Sequence, residues 1–183
     1  MSWITAGTPP IYFGFGSNVY LAHPAHTVAM ISAACTQLGE RALICSGASD
    51  LTDIPHTDHV KIVGAVNHSA IFPACRAVVH HGGAGTTAAA LRAGIPTLVL
   101  FSVLLEDQPI WAAVVKQRGV GFGRSFLEST LKTLVADLRH VLAPHCLTRA
   151  REVAAQMTKP AESLASAVGL LEDTVRRVDI TTS

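Results

Sequence analysis

The sequence predicts an α/β domain built on a parallel sheet with helices packed on both faces. Three observations carry this. Strand-like runs alternate with helical patterns across residues 11–123. The runs, such as Ala42-Leu43-Ile44-Cys45 and Thr97-Leu98-Val99-Leu100, are continuously apolar, as strands buried on both faces must be. Glycine and proline mark many of the joins between them, and right-handed crossovers follow from the alternation.

Each element has a local reason. Pro9-Pro10 punctuates the start of an aromatic and β-branched strand, Ile11–Phe15, which turns at Gly16-Ser17-Asn18. Residues 24–38 carry Val28, Ile31, Ala34, Cys35 and Leu38 at helical spacing, with Gly39 as the stop. Strands are expected at Ala42–Cys45, Val60–Val63, Ala77–His80 and Thr97–Leu100. Between the first two lies a polar surface loop, Ala48–His59; a single helical turn is expected at Ala70–Cys75. Helices are expected near Thr86–Ala93 and over Ile110–Arg118, the latter introduced by Pro109, and Gly119–Gly123 includes a short edge strand. Helices over 127–142, 147–157 and 161–178 complete the chain, separated by Pro144 and Pro160. The organisation reads as residues 1–8 a linker remnant, 9–160 the folded domain, and 161–183 a C-terminal helix and tail.

Composition removes several function classes. The chain has 183 residues, 49% hydrophobic and 15% charged, with a net charge of +1. That is a globular balance, with no bulk attraction for nucleic acid or anionic lipid. No apolar run reaches the roughly 18–20 residues of a membrane span, and no secretory signal opens the chain. The four cysteines lack CxxC spacing and sit among apolar neighbours, which reads as reduced core thiols in a cytoplasmic protein; no metal site is expected. Mean hydropathy of +0.38 is high enough to suggest that some apolar surface expects a partner.

In such sheets ligands bind beyond the carboxyl ends of the strands. The most informative loop there is His80-His81-Gly82-Gly83-Ala84-Gly85-Thr86-Thr87: two histidines, three glycines and two hydroxyls in eight residues, between a strand and a helix. Helix N-termini expose unpaired N–H groups and a partial positive charge, so this loop suits a phosphate. Three further loops converge with it: Gly16–Asn18, Gly64–Ser69 and Glu106–Gln108. Neither the dinucleotide fingerprint nor a P-loop is present: Gly14-x-Gly16 is followed by Val19 where a third glycine belongs. Phosphate binding without those signatures, with an Asp-Gln pair at a strand end, suggests a nucleotide-sugar.

The run His80–Thr87, with Ala93-Gly94-Ile95-Pro96 and Asp107-Gln108-Pro109-Ile110-Trp111-Ala112, closely resembles the bacterial glycolipid and glycopeptide glycosyltransferases. These are inverting, two-domain GT-B enzymes related to the UDP-glycosyltransferases. The wording around Pro73–His81 and Lys159–Ser163 resembles mycobacterial-type members acting on cell-envelope glycolipids. The resemblance implies the Rossmann-like C-terminal half of a GT-B enzyme. It also implies that Ser17, His81, Gly83, Gly85 and Thr86 hold the donor diphosphate, that Val66 and Asn67 flank the nucleobase, and that Asp107 and Gln108 hold the sugar. His80 is as much a packing residue as a binding one. The donor would be a UDP- or dTDP-sugar, with no further cofactor and no metal. The acceptor pocket and catalytic base would come from an N-terminal domain or a separate chain, so no catalytic residue is expected here. His23, His26, His56, His59, His68, His140 and His145 read as surface or loop residues. The implied location is cytoplasmic, or peripheral on the inner face of the membrane. Alternatively, the chain is a non-catalytic nucleotide-sugar-binding subunit or a truncated fragment. Departures from the family pattern at Ala65, Asn67 and Ala89, and a longer segment from Leu100 to Asp107, leave the base and the sugar open.

Overall fold

A computed structural model of the chain describes residues 2–16, 23–47, 49–51, 53–102 and 107–181. Its centre is a six-stranded, wholly parallel sheet of β1 (Ile11–Gly14), β2 (Ala42–Cys45), β3 (Val60–Val63), β4 (Ala77–His80), β5 (Thr97–Phe101) and β6 (Gly121–Ser125), in spatial order β3-β2-β1-β4-β5-β6. The α-helices are α1 (Ser2–Thr5), α2 (Pro24–Leu38), α3 (His68–Ile71), α4 (Ala84–Ala93), α5 (Gln108–Gln117), α6 (Leu131–Val141), α7 (Pro144–Gln156) and α8 (Pro160–Thr181). This is the Rossmann-like fold expected from the continuous apolar runs. The strand order reverses between β1 and β4, which creates the crevice such sheets use for ligands.

Alternate residues of each strand serve opposite faces. Ile11, Phe13, Ile44, Val79, Leu98 and Leu100 pack with Val28, Ile31 and Cys35 of α2 and Leu134, Leu138 and Val141 of α6. On the other face Tyr12, Leu43 and Val78 meet Phe72, Ala90 and Ile95, while Val99 packs with Val115, Ala150 and Val153. Because both faces are covered, no alternation survives in the sequence of these strands. The pairings Val63↔Cys45, Cys45↔Gly14, Gly14↔His80 and His80↔Val99 form one continuous row. The loops leaving these strands therefore start level with one another.

Several expected boundaries move. The helix after the glycine loop starts at Ala84, so Gly85 and Thr86 lie in its first turn. Pro144 and Pro160 begin helices instead of separating them, since proline forfeits no hydrogen bond in a first turn. The last strand runs on to Ser125, and the turn expected at 70–75 starts two residues earlier, at His68, which Asn67 caps. Within the polar loop before β3, Leu51 is buried in the core. The first residues are not a bare linker: α1 buries Ile4, and the Arg41 guanidinium lies over the Trp3 ring while donating to the carbonyls of Trp3, Ile4 and Thr8. At the far edge, Arg124 on β6 makes a two-pronged ion pair with the buried Asp137 carboxylate of α6, at 2.6 and 2.9 Å.

The last helix carries an apolar stripe at helical spacing, Leu164, Ala167, Val168, Leu171, Val175 and Val178. The structure leaves it bare: Leu164 is 67%, Leu171 68% and Val175 62% exposed. Ala167 and Val168 are exposed too, and Val178 lies outside the described side chains. No helix among the described residues is long and apolar enough to cross a membrane. Contiguous exposed apolar surface of this kind drives association in water. The isolated chain is therefore expected to self-associate on light scattering, and Leu164→Glu with Leu171→Glu to return it to a monomer. A monodisperse monomer of the parent chain would contradict this.

Candidate functional site

A cleft of about 580 Å³ opens over the level strand ends. The β1, β2 and β4 ends meet the β3–α3 loop and the start of α5 there. Its volume falls within the several-hundred-Å³ range of small-molecule sites.

The phosphate-like end is built from the β4–α4 loop. Gly82 takes φ +97° to turn the chain out of the strand, and Gly83 is the N-cap of α4. The first intrahelical bond is from the Thr87 N–H to the Gly83 carbonyl, at 3.0 Å. The N–H groups of Ala84, Gly85 and Thr86 precede it and have no helical acceptor. Gly85 and Thr86 line the cleft. The two threonines have separate tasks: the buried Thr87 hydroxyl donates to the Gly83 carbonyl at 2.9 Å, which leaves Thr86 as the hydroxyl facing the cleft.

The paired histidines also divide. His80 is completely buried, and its Nδ1 accepts the Gly82 N–H at 3.0 Å, which places its proton on Nε2. Burial first, then the neighbouring rings of His81 and His68, pushes it down to about 3, so it is a neutral residue that shapes the turn. His81 lines the cleft, its ring held between Gly16 and Gly83. A Cβ at Gly83 would come within 2.7 Å of His81 Nε2, and one at Gly16 within 2.6 Å of His81 Cε1. Those glycines give the imidazole its slot. Burial lowers the His81 pKa, opposed by the Gly14 carbonyl and the Asp107 carboxylate.

The other predicted residues fall as follows. Ser17 lies outside the described residues, as do Asn18 and Glu106 from the loops expected to converge. Val66 lines the cleft, but the Asn67 side chain is turned to its own helix, accepting from Ser69 N–H at 3.0 Å and Ser69 Oγ–H at 2.6 Å. Its Oδ1 is thus occupied as an N-cap. Asp107 and Gln108 both line the cleft. Gln108 is nearly buried, and its Oε1 accepts the Ser102 N–H at 2.8 Å, so its NH₂ is the group left to donate.

Sequence reasoning missed Tyr12, Cys45, Gly47 and His68, all of which line the cleft. Tyr12 lies two residues before Gly14 on one strand face, and its phenol folds beneath the missing side chain of Gly14. The Tyr12 hydroxyl lies 3.3 Å from His68 Nε2, and His68 stacks on Phe72 with ring centroids 4.5 Å apart. Burial, reinforced by Cys45, holds the phenol protonated far above its ordinary range, and burial lowers the His68 imidazole. A protonated phenol and a neutral ring thus share this hydrogen bond, its direction set by the His68 tautomer. A tyrosine two residues ahead of a strand-end glycine was the available signal; His68 had only its place in the Gly64–Ser69 loop, because its role follows from the short α3.

Residues 42–172 match the family model described as the C-terminal domain of Erythromycin biosynthesis protein CIII-like proteins. The chain belongs to that family. An uncharacterized glycosyltransferase of Mycobacterium tuberculosis is 64% identical over 176 residues, which cover 96% of this chain and 42% of that protein. The vancomycin aglycone glucosyltransferase of Amycolatopsis orientalis is 37% identical over 182 residues, 100% of this chain and 43% of that protein. The chain thus spans less than half the length of these relatives. Among solved structures, the glycosyltransferase SnogD from Streptomyces nogalater superposes with TM-score 0.73 at 25% identity, covering 92% of this chain and 45% of its own. The glycosyltransferase VinC, solved in complex with dTDP, superposes with TM-score 0.74 at 22% identity, covering 94% and 44%. These neighbours are GT-B glycosyltransferases, and in this CIII-like chain the described fold is the C-terminal half of that architecture.

The buried imidazoles set a pH dependence. His80 binds its proton in the unfolded chain near pH 6.5 but in the folded chain only near pH 3. Between those values the unfolded state holds more protons, so stability falls as pH drops, by at most about 1.4 kcal/mol per pH unit for one group. His68 and His81 add to it with the same sign. Urea midpoints at pH 7 and pH 5 should show this loss, and His80→Gln should reduce it. An unchanged pH dependence in that variant would contradict the assignment.

Proposed function

We propose that this chain is the donor-binding half of an inverting, metal-independent glycosyltransferase that transfers a hexose from a UDP- or dTDP-sugar to a lipid or natural-product hydroxyl. One observation carries the reading. The unpaired N–H groups at the start of α4, the Thr86 hydroxyl and the His81 imidazole all face one cleft at the point where strand order reverses. That is a site for a diphosphate. Asp107 and the Gln108 NH₂ would meet sugar hydroxyls on one side, and Val66 with the Tyr12–His68 pair would border the nucleobase on the other. The Asn67 Oδ1 is engaged at the start of α3, so its side chain would meet the base only through its NH₂.

In this reading the acceptor hydroxyl loses its proton to a base on the N-terminal half and attacks the anomeric carbon. The bond from that carbon to the diphosphate oxygen breaks, and negative charge grows on the leaving diphosphate. The α4 dipole, its N–H groups and His81 are already aimed where that charge develops, so little reorganisation is needed. Metal independence is supported by the donor set, since Asp107 is the one carboxylate lining the cleft among the described residues.

Calorimetry with UDP, dTDP and their sugars tests the binding half of the proposal, and transfer by the chain alone is expected to fail. Gly85→Ala sharpens it: the added Cβ would meet no protein atom within 4 Å, and alanine favours a helix by up to about 1 kcal/mol. The variant should melt no lower than the parent yet bind nucleotide about tenfold more weakly, a loss of ~1.4 kcal/mol. Absence of nucleotide binding at millimolar ligand by the parent chain would refute the reading.

A further inference from the structure

Away from the cleft, the corner between α6 and α7 gathers three metal-ligating side chains that the proposed reaction does not use. His140 lies in the last turn of α6, and His145 and Cys146 are the second and third residues of α7. One ligand atom from each lies within 4.8 Å of the other two. We propose that His140, His145 and Cys146 form a binding site for a borderline divalent metal ion of the zinc type.

The geometry is close to what such an ion requires. With metal–nitrogen distances near 2.0–2.1 Å and metal–sulfur near 2.3 Å, ligands at tetrahedral angles stand roughly 3.3–3.6 Å apart. Cys146 Sγ already lies 3.4 Å from His145 Nε2. The His140 and His145 rings are edge to face, with centroids 5.8 Å apart, so closing the remaining gap takes a side-chain adjustment of about an ångström. The backbone need not move. Leu138, Val141, Cys146 and Ala150 are fully or almost fully buried on either side of the corner, whereas both imidazoles are exposed and open to an ion from solvent. His140 also rests edge-on against Phe122, at 5.7 Å between centroids.

The chemistry agrees. Two imidazoles and a thiolate select zinc-like ions over magnesium or calcium, and leave a fourth position for water. The carbonyls ending α6 favour a cation, and the amides beginning α7 favour a thiolate. Burial raises the Cys146 thiol, whose Sγ–H points at the His140 carbonyl at 3.4 Å. The ion must therefore displace that proton, and one proton leaves per ion bound. The sequence carries one signal, the spacing His140-x4-His145 followed by Cys146, which falls within the histidine spacing of zinc sites although no CxxC accompanies it. The helix corner, begun by Pro144, folds His145 and Cys146 back toward His140. Here the chain passes between α6, on the sheet face packed with α2, and α7, on the face packed with Val99, so an ion would clip the two together.

The test is a titration of the tag-free, reduced chain with Co²⁺, followed by displacement with Zn²⁺. The expected result is one ion per chain, saturating in the micromolar range, with a thiolate-to-cobalt charge-transfer band, tetrahedral visible bands and a raised thermal midpoint. His140→Ala and His145→Ala alter only exposed side chains and should each weaken binding by about tenfold or more. Cys146→Ser should abolish the charge-transfer band. If that buried substitution fails to fold, the two histidine variants still decide. No charge-transfer band at millimolar Co²⁺, or unaltered affinity in the double histidine variant, overturns the site.

Discussion

The N-terminus of α4 is the constraint on which the account of this molecule rests. A helix that begins in a glycine turn leaves its first amides without acceptors, and here Gly85 and Thr86 begin that helix on the cleft wall. An open end of this kind takes its partners from water or from a ligand. Around it the fold spends its small residues: Gly82 makes the turn, and Gly16 and Gly83 leave a slot for the His81 ring. The buried His80 fixes the turn by accepting the Gly82 N–H. The level row from Val63 through Cys45, Gly14 and His80 to Val99 brings the other loops to the same height. The site is thus a consequence of register as much as of residue identity.

Much of the architecture was legible because its signals are local. Three strands, β2, β3 and β4, and the helix α2 have the boundaries that apolar runs and glycine stops indicate. The errors have physical causes. A proline reads as a breaker, yet at Pro144 and Pro160 it starts a helix, where its missing N–H costs no hydrogen bond. The helical start at Ala84 was misplaced because glycine-rich sequence looks like loop, although Gly85 has a helical backbone. Nothing local in residues 1–8 shows that Arg41, more than thirty positions away, ties them to the domain.

The candidate site was legible where sequence neighbours act together and illegible where tertiary structure assembles it. His81, Gly83, Gly85 and Thr86 sit in one motif and stand together in the cleft. Asn67 occurs in the loop expected to flank the base, and there its Oδ1 caps α3. Tyr12 and His68 are 56 positions apart and meet only because β1 and the β3–α3 loop converge. The bare surface of α8 belongs to the same lesson: periodicity shows a stripe, and only the fold shows that the domain leaves it uncovered.

The central claim, that the α4 N-terminus and His81 cradle a diphosphate, is tested most directly by amide chemical shifts. Titrating ¹⁵N-labelled chain with UDP should move the Gly83, Gly85 and Thr86 amide resonances most, together with the His81 imidazole. Saturation by UDP that leaves those amides in place while shifting another region would contradict the account.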